Sequence, residues 1–259
     1  MKLRTANLMM GILALVFVFS SQALSSDWNQ VKGTFERKLE VSGPAKLDVV
    51  TNSGDVTLRT GPVSSVYIKG KIQIHFESDS ERDRAEKTLS DIQQNPPLEQ
   101  NGNSIRVGHV NGTRDMNHTS IDYEIVVPPG SNLIARSGSG DLHIAGPLAE
   151  ADVETGSGDV SIESVKGSLH LSTGSGDIAL REAGGSGAEV RTGSGDVDCV
   201  LPSTGGFDFS VATGSGDISA ESGLTIETGN TSRGKWRAKI RGGGAAYSVE
   251  TGSGDIRIH

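Results

Sequence analysis

Cysteine is nearly absent from this chain. Cys199 is the single one in 259 residues, so no internal disulfide can form. Aromatic residues make up only 4% of the chain, which leaves few of the ring platforms that sugar-processing enzymes use. The six histidines (His75, His109, His118, His143, His170 and His259) show no ligand spacing of the HExxH kind. A GxSxG nucleophile in strand-to-helix context is missing too. These absences argue against a hydrolase or a zinc enzyme, and no cofactor, metal ion or catalytic residue is assigned.

Long apolar runs are also missing, except at the N terminus. There Lys2 and Arg4 precede the run from Leu8 to Phe19, and the small-residue stretch Ser20-Ser21-Gln22-Ala23 follows. That order predicts a secretory signal peptide over residues 1–25, cleaved near Ala23 or Ser25. The run is too short for a confident membrane span. The expected location is outside the cytoplasm: periplasm, cell surface or medium. Removing Lys2 and Arg4 leaves 22 of the 24 basic residues against 32 acidic ones, a net charge of −10. Such an acidic chain is a poor ligand for nucleic acid or an anionic membrane surface. An envelope glycan or protein is the expected class of partner.

What the chain has in abundance is glycine, in a repeated phrase. Thr-Gly-Ser-Gly-Asp, or a close variant, ends at Asp55, Asp141, Asp159, Asp177, Asp196, Asp217 and Asp255. From Asp141 the steps are 18, 18, 19, 21 and 38 residues, the last expected to be two worn units of 19. Apolar residues alternate on both sides of each phrase. Val160 and Ile162 are followed by Leu169, Leu171 and Thr173, and Ile178 and Leu180 by Ala188, Val190 and Thr192. This is strand patterning with two short strands per unit, and a period near 20 residues signals repeats that stack. A parallel solenoid and an antiparallel meander both fit it.

In either, the glycines are expected to supply positive φ at a tight corner. The aspartates are expected to bond nearby backbone amides in their own turns. The threonines are expected to satisfy one another's hydroxyls. Calcium is the rival use of an aspartate row, but the calcium-binding nonapeptide spaces its aspartate differently. Cys199 falls on the inward parity as a buried thiol.

Two segments break the pattern. Residues 78–95 carry Ser78 and Glu81 as a capping box, Ala85, Leu89 and Ile92 on one helical face, and Pro96-Pro97 as a stop. They predict a helix that lies on the repeats or covers one end. Residues 233–241 place Arg233, Lys235, Arg237, Lys239 and Arg241 on one face of a strand and Trp236, Ala238 and Ile240 on the other. Those cations suit either an anionic ligand or the protection of a sheet edge. Asn111, Asn117 and Asn230 begin glycosylation sequons, relevant only in a glycosylating host.

The repeated T-G-S-G-D-[VI], the V-x-G-x-L-x-L at Val165 to Leu171 and the Val127-Pro128-Pro129-Gly130 before the repeats resemble the bacterial "putative adhesin" family of unknown function. The resemblance covers roughly residues 35–259. It implies a single-stranded parallel β-solenoid and residence in the cell envelope, and it brings no catalytic residue. The expected fold class is therefore all-β, with coils of about 18–21 residues and one inserted α-helix. Residues 26–259 form the domain, and the repeats are clearest over 133–259. The expected role is that of a non-catalytic adhesin or interaction scaffold. The rivals are a polysaccharide-active enzyme on the same fold and a calcium-binding roll.

Overall fold

The period-two pattern becomes strands wherever it occurs. The computed structural model describes residues 29–108, 118–183, 185–221, 226–232 and 234–259. The signal-peptide segment, His109, Asn111, Asn117 and Arg233 lie outside the described residues.

The described chain is all-β with one helix. Its strands form two large, mostly parallel sheets, one of ten strands and one of eleven. Through the repeats the chain alternates between them. Asn132–Ser137, Glu150–Thr155, Ser168–Thr173 and Ala188–Ser194 lie side by side in the eleven-stranded sheet. Leu142–Ala145, Val160–Glu163, Ile178–Arg181 and Val197–Val200 do so in the ten-stranded one. All these pairs are parallel, which rules out the meander. Ten strand gaps at roughly 4.8 Å make the larger sheet about 48 Å long.

Register places like residues in rows. Ala135, Val153, Leu171 and Val190 align in the larger sheet, and Ile144, Ile162, Leu180 and Cys199 in the smaller. Both rows are buried in one continuous core. The core spans the whole molecule because each apolar strand face finds its cover in the facing sheet.

The 38-residue step is not two worn coils. Residues 207–215 are followed by an antiparallel excursion, Ile226–Ser232 with Lys235–Ile240, that pairs back onto Phe207–Ser215. The chain then returns, and its final coil is inserted out of order. Ala245–Ser253 lies between Ala188–Ser194 and Phe207–Ser215, and Ile256–Ile258 lies between Val197–Val200 and Ile218–Ala220.

The opposite end is closed differently. Gln30–Glu40, Ser65–His75 and Thr119–Val127 run antiparallel and extend the ten-stranded sheet. The helix Asp79–Gln94 packs on the first two of these strands, burying Ala85 and Ile92 with Leu89 half-buried. Gly33 has no Cβ because one would sit 2.8 Å from Leu89 Cδ1. The helix therefore covers one end of the core. The capping box is incomplete. The Ser78 side chain makes no cap bond, and Glu81 accepts from the Glu77 N–H at 2.9 Å instead.

Candidate functional site

The corner aspartates form one ladder, and their bonding differs from the expected local turn bonds. Each carboxylate except that of Asp217, the last rung, accepts from the backbone N–H of the aspartate one coil further on. Asp141 N–H donates to Asp55 Oδ1 at 2.9 Å, Asp159 to Asp141 at 2.9 Å, Asp177 to Asp159 at 2.9 Å and Asp196 to Asp177 at 2.8 Å. The ladder then follows space and not sequence. Asp255 N–H donates to Asp196 Oδ1 at 2.9 Å, and Asp217 N–H to Asp255 Oδ1 at 2.9 Å.

At the other end, Asp55 N–H donates to Asp122 Oδ1 at 3.1 Å, which makes Asp122 a rung that the motif search missed. The sequence there reads Ser120-Ile121-Asp122-Tyr123, with isoleucine where the other corners have glycine. Arg257 bridges Asp196 at 3.0 Å and Asp255 at 3.3 Å. The Asp255 N–H, followed by Arg257, holds the Asp196 carboxyl below the usual range. Like charges about 4.8 Å apart repel by roughly 1 kcal/mol in water. A hydrogen bond to a charged group contributes about 1.5–3 kcal/mol, so the ladder is favourable without a bound cation.

Most corner glycines are required by stacking and not by positive φ; among them only Gly216 and Gly254, in the last two copies, have positive φ, 155° and 159°. None of Gly138, Gly140, Gly156, Gly158, Gly174, Gly176, Gly193 and Gly195 has φ > 0. A Cβ on Gly158 would lie 2.1 Å from the Gly140 carbonyl oxygen, and one on Gly176 would lie 2.1 Å from that of Gly158. The threonine row is buried as expected, but its hydroxyls do not bond one another. Thr192 Oγ1 donates to Gly176 O at 3.2 Å, Thr213 to Gly254 O at 2.9 Å and Thr251 to Gly195 O at 3.0 Å. At Thr192, Thr213 and Thr251 glycine and threonine thus answer the same neighbour, a corner carbonyl of the adjacent coil. Among the described residues the buried Thr155 hydroxyl has no hydrogen-bond partner, and Thr51 Oγ1 accepts from the Gly54 N–H of its own corner.

The outer faces carry charge in cross-strand pairs. On the larger sheet Arg136 lies 3.7 Å from Asp152 and 3.5 Å from Glu154, Arg191 lies 3.5 Å from Glu250, and His170 lies 3.3 Å from Glu189. His259 lies 3.5 Å from both Asp198 and Glu221 on the smaller sheet, where His143 is solvent-facing. His75 and His118 are also exposed. Among the described residues no group of three or more histidines, cysteines and acids converges as a metal site. Cys199 is buried, and burial pushes its thiol up to about 12.

The cation segment is only partly as expected. Lys235, Arg237 and Lys239 point outward from strand Lys235–Ile240, while Trp236 and Ala238 are half-buried and Ile240 is buried. Among the described residues none of the three is in an ion pair. Arg241 leaves the row. It has φ 51°, its guanidinium lies 5.4 Å from the Phe207 ring, and it donates to the carbonyls of Pro202 and Ser203. The strand is not a sheet edge either, because Ile226–Ser232 and Phe207–Ser215 pair on its two sides.

A concavity of about 480 Å³ opens on the outer face of the smaller sheet, near the helix-capped end. Tyr67, Arg59, Lys69, Glu124 and Thr57 line it. Lys71, hydrogen-bonded to Glu124, holds that carboxyl below its usual range. Nothing in the repeat pattern pointed to this site. Its residues come from the strands before the repeats.

Among described residues no helix is long and apolar enough to cross a membrane. No curated protein matches the chain in sequence. Among solved structures, a "putative cell adhesion protein" from Clostridium sporogenes is 14% identical, with 88% of this chain and 99% of that one covered at TM-score 0.46. A "putative adhesin" from Bacteroides fragilis is 11% identical, covering 88% and 97% at TM-score 0.37. A "putative lipid binding protein" from Parabacteroides distasonis is 12% identical, covering 87% and 96% at TM-score 0.36. The family model described as Toastrack DUF4097 matches residues 44–259, and the chain belongs to that family.

Proposed function

We propose that the protein is an exported, non-catalytic β-solenoid that works in the cell envelope as a rigid binding scaffold, with an anionic envelope glycan as its partner. The observation that carries this reading is the row Lys235, Arg237 and Lys239. Three exposed cations, without ion pairs among the described residues, stand on an interior strand of an acidic chain. Edge protection does not account for them, because the strand has a neighbour on each side. Alternate residues of a strand are about 6.8 Å apart, so the row offers evenly spaced charge to a linear polyanion. Export rests on the basic start and apolar run at residues 1–25.

The test has two parts. Mass spectrometry of the mature protein from fractionated cells should find an N terminus near Ala23 or Ser25. Purified protein should be retained on isolated envelopes, and replacing Lys235, Arg237 and Lys239 with serine should release it. A full-length cytosolic chain, or retention indifferent to the three cations, overturns the reading.

A further inference from the structure

We infer that the concavity on the ten-stranded sheet is a second binding site, made for a carboxylated sugar unit such as a uronic acid within an oligosaccharide. Two rows of outward side chains build it. Register across four strands aligns Lys38, Tyr67, Val126 and Arg59 in one row and Glu36, Lys69, Glu124 and Thr57 in the next. In the first row an apolar floor, Tyr67 with Val126, lies between two cations.

Tyr67 is 41% exposed, and only one other large apolar side chain, Ile134 at 38%, is described as exposed. The Lys38 ammonium lies 5.8 Å from the centroid of this ring, and the part of the ring that stays exposed in its concave polar setting fits the C–H face of a pyranose ring. Its phenol edge and the charged groups around it fit the sugar hydroxyls.

The charge balance around the ring selects the ligand further. Lys38 lies 2.8 Å from Glu40, and Lys69 lies 3.8 Å from Glu36. Arg37 donates to the carbonyls of Gln93 and Gln94 at the helix end, 3.1 Å each. Among the described residues Arg59 alone of the lining cations has neither an ion pair nor a hydrogen bond; its charge reaches the Glu124 carboxylate only weakly, after Lys71 and Lys69 among the causes that hold that carboxyl low. Its planar fork of donors matches a carboxylate with two parallel bonds. Tyr67 and Arg59 stand two strands apart, about 10 Å. A disaccharide spans that distance, with one ring on Tyr67 and the carboxylate of the next on Arg59. The site uses none of the residues of the cation row, and its test needs only purified protein.

The experiment is calorimetric titration with trigalacturonate and with its fully methyl-esterified form. The folded protein should bind trigalacturonate at least tenfold more tightly than the ester. Arg59→Gln should remove that preference and leave ester binding unchanged, with Arg59→Lys restoring only part of it. Tyr67→Ala should weaken both ligands by tenfold or more. Both side chains are exposed, so matched circular dichroism and melting of the variants establish that folding is intact. Equal affinity for acid and ester, no binding of either at millimolar concentration, or binding that survives Arg59→Gln and Tyr67→Ala would each overturn the assignment. On the Lys235, Arg237 and Lys239 triple-serine background, where the cation row no longer contributes, trigalacturonate should still bind at least tenfold more tightly than the ester, and adding Arg59→Gln should remove that preference. A preference already lost in the triple-serine variant would place the ligand on the cation row and overturn this site.

Discussion

Removing a corner carboxylate should cost different amounts at Asp255 and Asp217, and the difference reports the order of the coils. The two residues end identical pentapeptides, Thr213 to Asp217 and Thr251 to Asp255. In the ladder Asp255 Oδ1 accepts the Asp217 N–H at 2.9 Å. Asp217 is the last rung, and among the described residues its carboxylate accepts nothing. Asp255→Ala removes a charge-assisted bond of about 1.5–3 kcal/mol. It also relieves repulsion from its two neighbouring acids, Asp196 and Asp217, about 1 kcal/mol in total once salt screens each pair. The expected net loss is about 1–2 kcal/mol. Loss of the exposed Arg257 contact adds at most about 1 kcal/mol. For a chain of this size 1 kcal/mol moves Tm by about 2–4 °C, so Asp255→Ala, at about 1–3 kcal/mol in all, should lower Tm by roughly 2–12 °C.

Asp217→Ala should cost under about 0.5 kcal/mol, in the range of ordinary surface changes. Asp255→Asn, which keeps the acceptor and drops the charge, should fall between the two. The assay is thermal and urea unfolding of the three variants side by side. Stacking in sequence order would make Asp255 the free rung and reverse the ranking. That reversal, or equal losses at both positions, would refute the inserted coil.

Other outcomes follow from the same geometry. Gly158→Ala drives a methyl to 2.1 Å from Gly140 O and should cost several kcal/mol by parting two coils, whereas Ser157→Ala should stay within about 0.5 kcal/mol; denaturant midpoints decide. Val190→Asp buries an unpaired charge at a fully covered position and should cost several kcal/mol, while the outward Ser161→Asp should cost little. Equal effects from that pair would show the inward and outward faces to be misassigned. Acid should weaken the ladder. The Asp196 carboxyl is held below its usual range by the Asp255 N–H and Arg257. Its contribution is present above the unfolded-state value, near 4, and is lost as pH falls through the lower folded one. Melts from pH 6 to pH 2 should show a Tm loss in that window that Asp196→Asn flattens.

Strand parity, the buried Cys199, the aspartate corners and the helix with its buried Ala85 and Ile92 were all legible in the sequence. Each rests on a local period or on one residue's polarity. The order of the last two coils was not legible. Phe209, Val211 and Thr213 align with Tyr247, Val249 and Thr251 in register, so either cassette suits the slot beside Val190. One contact does tell them apart, since the Tyr247 hydroxyl donates to the Ala183 carbonyl and Phe209 in that slot could not. The glycine rule was right about residue type but gave the cause only at Gly216 and Gly254; at Gly158 and Gly176 the steric demand comes from a carbonyl 18 residues away. Asp122 escaped notice for a related reason. It lies where the antiparallel strands begin, and no glycine precedes it. Arg241 shares the parity of its cationic neighbours, but a positive φ ends the strand before it. The Tyr67 concavity was invisible because it needs the pairing of four strands distant in sequence.

The central claim is that the molecule binds as a metal-free, non-catalytic scaffold. It is tested most directly by adding purified protein to isolated envelopes in chelator and in millimolar calcium, then measuring both the retained protein and the polymer fragments released. Equal retention in the two conditions, with no fragments above the protein-free control, is the predicted result. Retention only in calcium, or steady release of fragments, would contradict it.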